Sequence, residues 1–265
     1  MKAVPFKKLG PGLLFAGAAI GVSHLVQSTR AGADFGFGLL WALLLVNIIK
    51  YPFFQYGPRY AAATGKSLLD GYYSLGKPVL WLYFIITLGT MFTIQTAVTI
   101  VTAGLAIQLF GISSDIAIWS VAITLFCSAI LAIGRYRILD KLMKIIIIIL
   151  TLSTLVAVFL AFRKSVSTMG SGPLRNLGQV LPTSTASIAF LIAFMGWMPA
   201  PLDISIWHSL WTLEKGERGG EAVKNSIFDF NVGYTGTIVL GICFMTLGAL
   251  IMYDGTATFS NKGSV

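Results

Sequence analysis

Long apolar runs recur along this chain, and they leave few folds open to it. Crossing the hydrocarbon core of a bilayer takes about 20 mostly apolar residues. Seven segments reach that scale: 11–29, 37–60, 79–110, 114–134, 142–162, 184–211 and 228–252. The fifth includes the unbroken run Ile145 to Ile149, an aggregation hazard in water and unremarkable in lipid. Only 11% of the 265 residues are charged, against about a quarter in an average soluble domain. The expected fold class is therefore an all-α integral membrane protein with about seven transmembrane helices and no appended soluble domain.

The few charges are segregated. The net charge is +9, which in a soluble protein would raise nucleic-acid binding. In a membrane protein the same excess marks the cytoplasmic side, and the scarcity of charge excludes a nucleic-acid partner here. With the first end in the cytoplasm, the inner pieces hold thirteen Lys and Arg residues, from Lys2, Lys7 and Lys8 through Lys215, Arg218 and Lys224. The outer pieces hold five: Arg30, Arg163, Lys164, Arg175 and Lys262. This asymmetry predicts a cytoplasmic N-terminus, an external C-terminus and residence in the plasma (inner) membrane. The basic start followed by an apolar stretch looks like a signal peptide, but no small-residue cleavage site follows, so it reads as a retained first helix. Cys127 and Cys243 each sit in an apolar run and read as small buried hydrophobes. No enzyme motif or Cys/His ligand cluster is present, so neither a catalytic residue nor a cofactor is expected.

Two spans are interrupted. The first carries Gly17, Gly21, Ser23 and His24 near its middle, and the sixth carries Gly196, Met198, Pro199 and Pro201. Two prolines in three residues remove backbone donors and cannot sit in an undisturbed helix. Unpaired backbone is tolerated at membrane depth only where protein or a water-filled cavity satisfies it. Discontinuous helices at matching positions of two repeats point to a transporter's central binding site. Gly17 and Gly21 also form a GxxxG spacing, which permits close helix packing without any ligand.

At these residues the chain resembles the Nramp family of divalent-metal transporters. The likeness runs through Gly10-Pro11-Gly12, Ala31-Gly32-Ala33, Phe35-Gly36, Leu39-Leu40-Trp41, Ala63-Thr64-Gly65-Lys66, Leu109-Phe110-Gly111 and Met198-Pro199. The resemblance implies a LeuT-like helical bundle of two inverted five-helix repeats with discontinuous helices 1 and 6. Residues 1–265 would then be a single transmembrane domain. It would hold the first repeat over about 10–163 and the start of the second over about 184–252, and would be C-terminally incomplete. The implied function is secondary transport of a divalent metal ion by alternating access, with the ion as substrate and the lipid bilayer as surroundings. The alternative is a same-fold transporter of an organic solute such as an amino acid, held at exposed helix N-termini. A membrane scaffold or enzyme without solute flux is a third class.

The departures from the family pattern matter as much. The family's Asp-Pro-Gly-Asn motif falls on Gly21-Val22-Ser23-His24, so the carboxylate is lost and His24 stands in the Asn slot. The family's Met-Pro-His becomes Met198-Pro199-Ala200, and its acidic pair in span three falls on Gln95 and Val98. What remains near the breaks is backbone carbonyl, Ser23, His24 and Met198. Imidazole and thioether suit transition metals better than hard cations.

Ionisable groups inside the membrane cost about 2.5–3.5 kcal/mol on insertion scales and default to functional candidates. Asp203 lies five residues past Met198. It reads as a replacement ligand or coupling group, as the ion-pair partner of Lys50 in the second span, or as a neutral buried acid. Lys50 as a fixed internal cation would argue against a divalent ion close by. His208 reads as the family's second histidine of span six, displaced by three residues, or as an interfacial histidine beside Trp207 and Trp211. Thr87, Thr90, Gln95, Thr96, Thr99 and Thr102 stripe the third span, as a polar path or as interhelical glue. The metal-ligand candidates are thus His24, Met198 and Asp203, with Gly21 and Ser23 beside them and Lys50, Gln95 and His208 as coupling or structural candidates.

Overall fold

The computed structural model describes residues 10–21, 23–112, 115–133, 136–169, 178–216 and 219–253. Lys2, Lys7 and Lys8, residues 170–177 of the outer loop 163–183 and the polar tail from Asp254 lie outside the described residues. Helices fall on all seven apolar segments, and no strand occurs among the described residues. The first segment is α1 (Pro11–Ala19), a π-helical turn Ser23–Ser28 and α2 (Thr29–Phe35). Then come α3 (Leu40–Thr64), the short α4 (Leu68–Leu75), α5 (Lys77–Phe110), α6 (Ile116–Ile133) and α7 (Tyr136–Met169). The sixth segment is split into α8 (Thr185–Trp197) and α9 (Asp203–Lys215), and α10 (Gly220–Ile251) closes the series.

By length and composition, Lys77–Phe110, Asp140–Lys164 and Gly220–Ile251 are each able to cross a membrane, and the two arms of the first segment, bent by 47°, make a fourth if the pair is one span. Ile116–Ala132 and Thr185–Trp197 are shorter apolar helices. α3 has the length, but Asn47, Lys50, Gln55 and Arg59 make it more polar. Its polarity turns inward: Tyr234 Oη donates to the Asn47 carbonyl at 2.6 Å and Tyr51 Oη to Asn231 Oδ1 at 2.7 Å, both across to α10.

The chain divides into two compact units, one of residues 69–141 and one of residues 1–68 with 142–262. In the smaller unit α5 and α6 pack together, with Phe110 stacked on Trp119 at 5.4 Å. Part of its polar stripe is satisfied locally, Thr90 and Thr102 bonding carbonyls one turn back and Gln95 Nε2 donating to Thr99 Oγ1 at 3.1 Å, while Thr87 Oγ1 is buried with no hydrogen-bond partner among the described residues. Cys127 is exposed on α6 rather than buried, and Cys243 in the larger unit is half-buried. A thiol on an exposed apolar helix face is compatible with lipid, where no hydrophobe needs hiding.

In the larger unit α10 is the spine. It packs along α1, the π-helical turn and α2, and also against α3. Gly233, Gly241 and Gly248 recur at about two-turn intervals on α10 and meet the first segment in order. A β-carbon at Gly233 would strike Gly12, one at Gly241 would lie 3.3 Å from His24 Cδ2, and one at Gly248 would strike the Thr29 carbonyl. Small residues let these backbones approach directly. The N-terminal end of α1 is tied to the same helix: the Gly10 and Gly12 amides donate to the Asp229 carboxylate at 3.1 and 2.9 Å. α9 crosses α3 as closely, Gly57 lying under the Ser205 carbonyl while Ser205 Oγ donates to the Phe53 carbonyl at 2.9 Å.

Candidate functional site

Where a helix stops inside apolar surroundings, its last carbonyls lose their partners and must find others. At the first break, Ser23 and His24 supply them from their own side chains. Ser23 Oγ donates to the Ala19 carbonyl, and His24 Nδ1 lies 2.9 Å from the same oxygen and 3.0 Å from Ser23 Oγ. The chain rewinds through the π-helical turn, a geometry that frequently marks functional sites. At the second break α8 ends at Trp197, the Met198–Pro199 peptide is cis, and α9 begins at Asp203.

The two breaks meet. Ser23 Oγ reaches the Pro199 carbonyl at 3.3 Å, and Ser28 Oγ reaches Met198 Sδ at 3.9 Å. Ser23, His24, Ser28 and Met198 are all buried. Apolar clusters close on either side. Met198 packs with Leu43, Phe194 and Met245, while Ala19 and Ala200 join Phe15, Phe54, Phe230 and Tyr234. The slot where the family pattern has histidine is therefore apolar and filled. His24 Nε2 is buried and has no hydrogen-bond partner among the described residues. The Nε2 edge of the ring is turned to α10, where a β-carbon at Gly241 would lie 3.6 Å from it.

The structure brings Ser23, His24 and Met198 together and adds Ser28, which sequence reasoning missed. Lys50 joins them through the backbone: its Nζ donates to the carbonyls of Met195, Gly196 and Met198 at 2.9, 2.7 and 2.8 Å. That corrects its reading as the partner of Asp203, since all three of its N–H donors are committed to carbonyl oxygens. Asp203 is half-buried in the first turn of α9, with no ion-pair or hydrogen-bond partner among the described residues. Gly21 is exposed, and its carbonyl accepts the Leu25 amide at 3.0 Å. The GxxxG pair divides: a β-carbon at Gly17 would meet the Met143 and Ile147 side chains of α7, whereas Gly21 has only the Ala18 carbonyl at 3.9 Å. Gln95 belongs to the smaller unit.

His208 is fully buried in the fold. Its ring stacks on Phe15 at 5.6 Å, with Phe230 and Trp211 beside it, and neither ring nitrogen has a hydrogen-bond partner among the described residues. Asp229 is the acid that sequence reasoning passed over. It is buried on α10 within the predicted seventh span, and the membrane cost that singled out Asp203 applies to it equally. Among the described residues no group of three or more His, Cys, Asp or Glu side chains converges as a metal cluster.

The family model described as natural resistance-associated macrophage protein-like (Nramp) matches residues 12–263. The chain is 36% identical over 258 residues to the uncharacterized protein PM0681 of Pasteurella multocida (strain Pm70), covering 97% of this chain and 59% of that protein. It is 27% identical over 86 residues to the divalent metal cation transporter MntH of Yersinia pestis (strain Pestoides F), covering 32% of this chain and 21% of that protein. The same figures hold for MntH of Yersinia pseudotuberculosis serotype O:1b (strain IP 31758). The chain thus spans just over half the length of the Pasteurella relative.

Proposed function

The chain belongs to the Nramp family, and from that premise we propose that it is part of a secondary membrane transporter for a divalent transition-metal ion. The observation that carries this reading is the meeting of the two helix breaks. Ser23 bonds Pro199 and Ser28 touches Met198, with His24 Nδ1 3.0 Å from Ser23 Oγ. Imidazole nitrogen, thioether sulfur and carbonyl oxygen form a donor set softer than carboxylate, one that favours manganese, iron or later transition metals over magnesium. The positive charge of Lys50 faces the carbonyl end of α8, which offsets part of its repulsion of a second cation. Alternating access would move one five-helix repeat against the other around this point.

A second reading, transport of an organic solute such as an amino acid, draws on the lack of a converging acidic cluster among the described residues. Asp203 counts against an anionic solute there, because it places a carboxylate in the first turn of α9, where an anionic group would dock. The full-length protein in proteoliposomes decides between them. Saturable uptake of manganese or iron, little of magnesium and none of amino acids is expected. Met198→Leu keeps the volume and removes the sulfur. It and His24→Gln should each weaken metal uptake on the order of tenfold or more. Amino-acid uptake untouched by metals would transfer the assignment to the second reading.

Orientation is part of the same proposal. The basic asymmetry favours a cytoplasmic N-terminus. In a protein with Cys127 and Cys243 replaced, cysteine at position 66 should label only from the cytoplasmic side and cysteine at position 172 only from outside. Labelling of both from one side would rule out the seven-span map.

A further inference from the structure

In transporters with broken helices, the carbonyls exposed at the C-terminal end of a half-helix coordinate the coupling cation. Here those carbonyls are Met195 and Gly196 in the last turn of α8 and Met198 just past its end. All three accept hydrogen bonds from one ammonium group, that of Lys50, at 2.7–2.9 Å. An ammonium carries three donors and no acceptor, so the match in number is complete. Lys50 has no ion-pair partner among the described residues, and Asp203 does not approach it as one. Its charge is met by carbonyl dipoles and by the negative end of α8, the same surroundings that hold an alkali ion. The stem that delivers it comes from the middle of α3, a continuous helix fixed on α9 and α10.

We propose that the Lys50 ammonium is a tethered stand-in for a bound monovalent cation: it fills a latent alkali-ion site at the end of α8, and the protein therefore takes up neither sodium nor potassium there. The site uses the Met195, Gly196 and Met198 carbonyls, whereas the metal-ion reading rests on His24, the Met198 thioether and carbonyls that Lys50 does not take, so the inference holds whichever solute the chain moves. It also assigns Lys50 a positioning role, because the ammonium fixes the half-helix end that an exchangeable ion would leave free to move.

The test needs no uptake. The full-length protein is purified in detergent, and its thermal midpoint is measured in choline, sodium and potassium chloride at equal ionic strength. The wild type should melt at the same temperature in all three. Lys50→Ala removes the ammonium and leaves three carbonyls facing a vacated space. It should melt lower in choline and recover saturably by roughly 5 °C or more in sodium or potassium, as ligand binding to the native state requires. Lys50→Met, which retains an unbranched stem, should melt lower in every salt without recovery, because its side chain blocks the space. A Lys50→Ala protein indifferent to the salt would overturn the proposal. So would a wild type that sodium or potassium stabilises saturably, and that comparison decides the matter if Lys50→Ala is not recovered folded.

Discussion

Gly32→Ala is expected to leave far less folded protein than its single added methyl group suggests. A β-carbon at Gly32 would collide with the Met245 carbonyl and come within 2.8 Å of the Ala249 nitrogen, and both obstacles are backbone of α10. A flexible side chain can swing away from such an intrusion, but a hydrogen-bonded helix cannot. The reciprocal glycine, Gly248, faces the Thr29 carbonyl and lies 2.9 Å, at its would-be β-carbon, from the Ala33 nitrogen. Accommodation therefore means separating α2 from α10 along the crossing, with loss of packing around Ala31 and Met245, both fully buried. Overpacking of this kind costs about 3 kcal/mol or more where the neighbour is rigid. Gly236 is the control. It lies on α10 with open space around it, and there Ala should be tolerated or slightly stabilising, since Ala is favoured over Gly by about 1 kcal/mol in a helix interior. Thermal melting of the full-length variants in detergent checks the pair. Equal midpoints for Gly32→Ala and Gly236→Ala would show that the α2–α10 crossing is not as close as described.

Much of this architecture was legible in the sequence because bilayer physics writes it there. Apolar run length located the seven helical segments, and Pro199 and Pro201 located the second break through their missing donors. The first break was legible only as a cluster of Gly17, Gly21, Ser23 and His24; nothing in that composition announces that the chain rewinds as a π-helix. The partners of Lys50 were illegible for a general reason. Three backbone carbonyls about 145 residues away carry no side-chain signature, so pairing the lysine with the nearest intramembrane acid was the available guess. Trp207 and Trp211 left His208 open between an interfacial belt and the family's second histidine of span six. Only the fold reveals that Phe15 and Phe230 enclose it. Asp229 was legible but unread: flanked by Phe228 and Phe230 inside a predicted span, it met the same criterion as Asp203.

Asp203 and Asp229 are therefore expected to fail in opposite ways. Asp229 has its full complement of work in the fold. Both carboxylate oxygens accept amides at the start of α1, a charge placed at the positive end of that helix. Asp229→Asn keeps the shape but replaces one acceptor with a donor that faces an N–H, which should cost about 1.5–3 kcal/mol of stability. Asp203 has no such task among the described residues. It neither pairs with Lys50 nor receives a hydrogen bond, yet it sits half-buried at the start of α9, just past the second break. With Gly21 in the lost carboxylate slot and Gln95 and Val98 unable to carry a proton, it is the acid best placed to bind a cation or to couple protons. Asp203→Asn should therefore abolish uptake while the thermal midpoint stays near that of the wild type. The ion-pair alternative makes a separate demand. If Asp203 and Lys50 stabilised each other, the double change would restore what either single change removed. Because Lys50 bonds carbonyls instead, the Lys50→Ala and Asp203→Asn effects on stability should add to within about 0.5 kcal/mol. A folded Asp203→Asn protein that transports at the wild-type rate would refute the functional role and leave the substrate to Ser23, His24, Met198 and the backbone carbonyls.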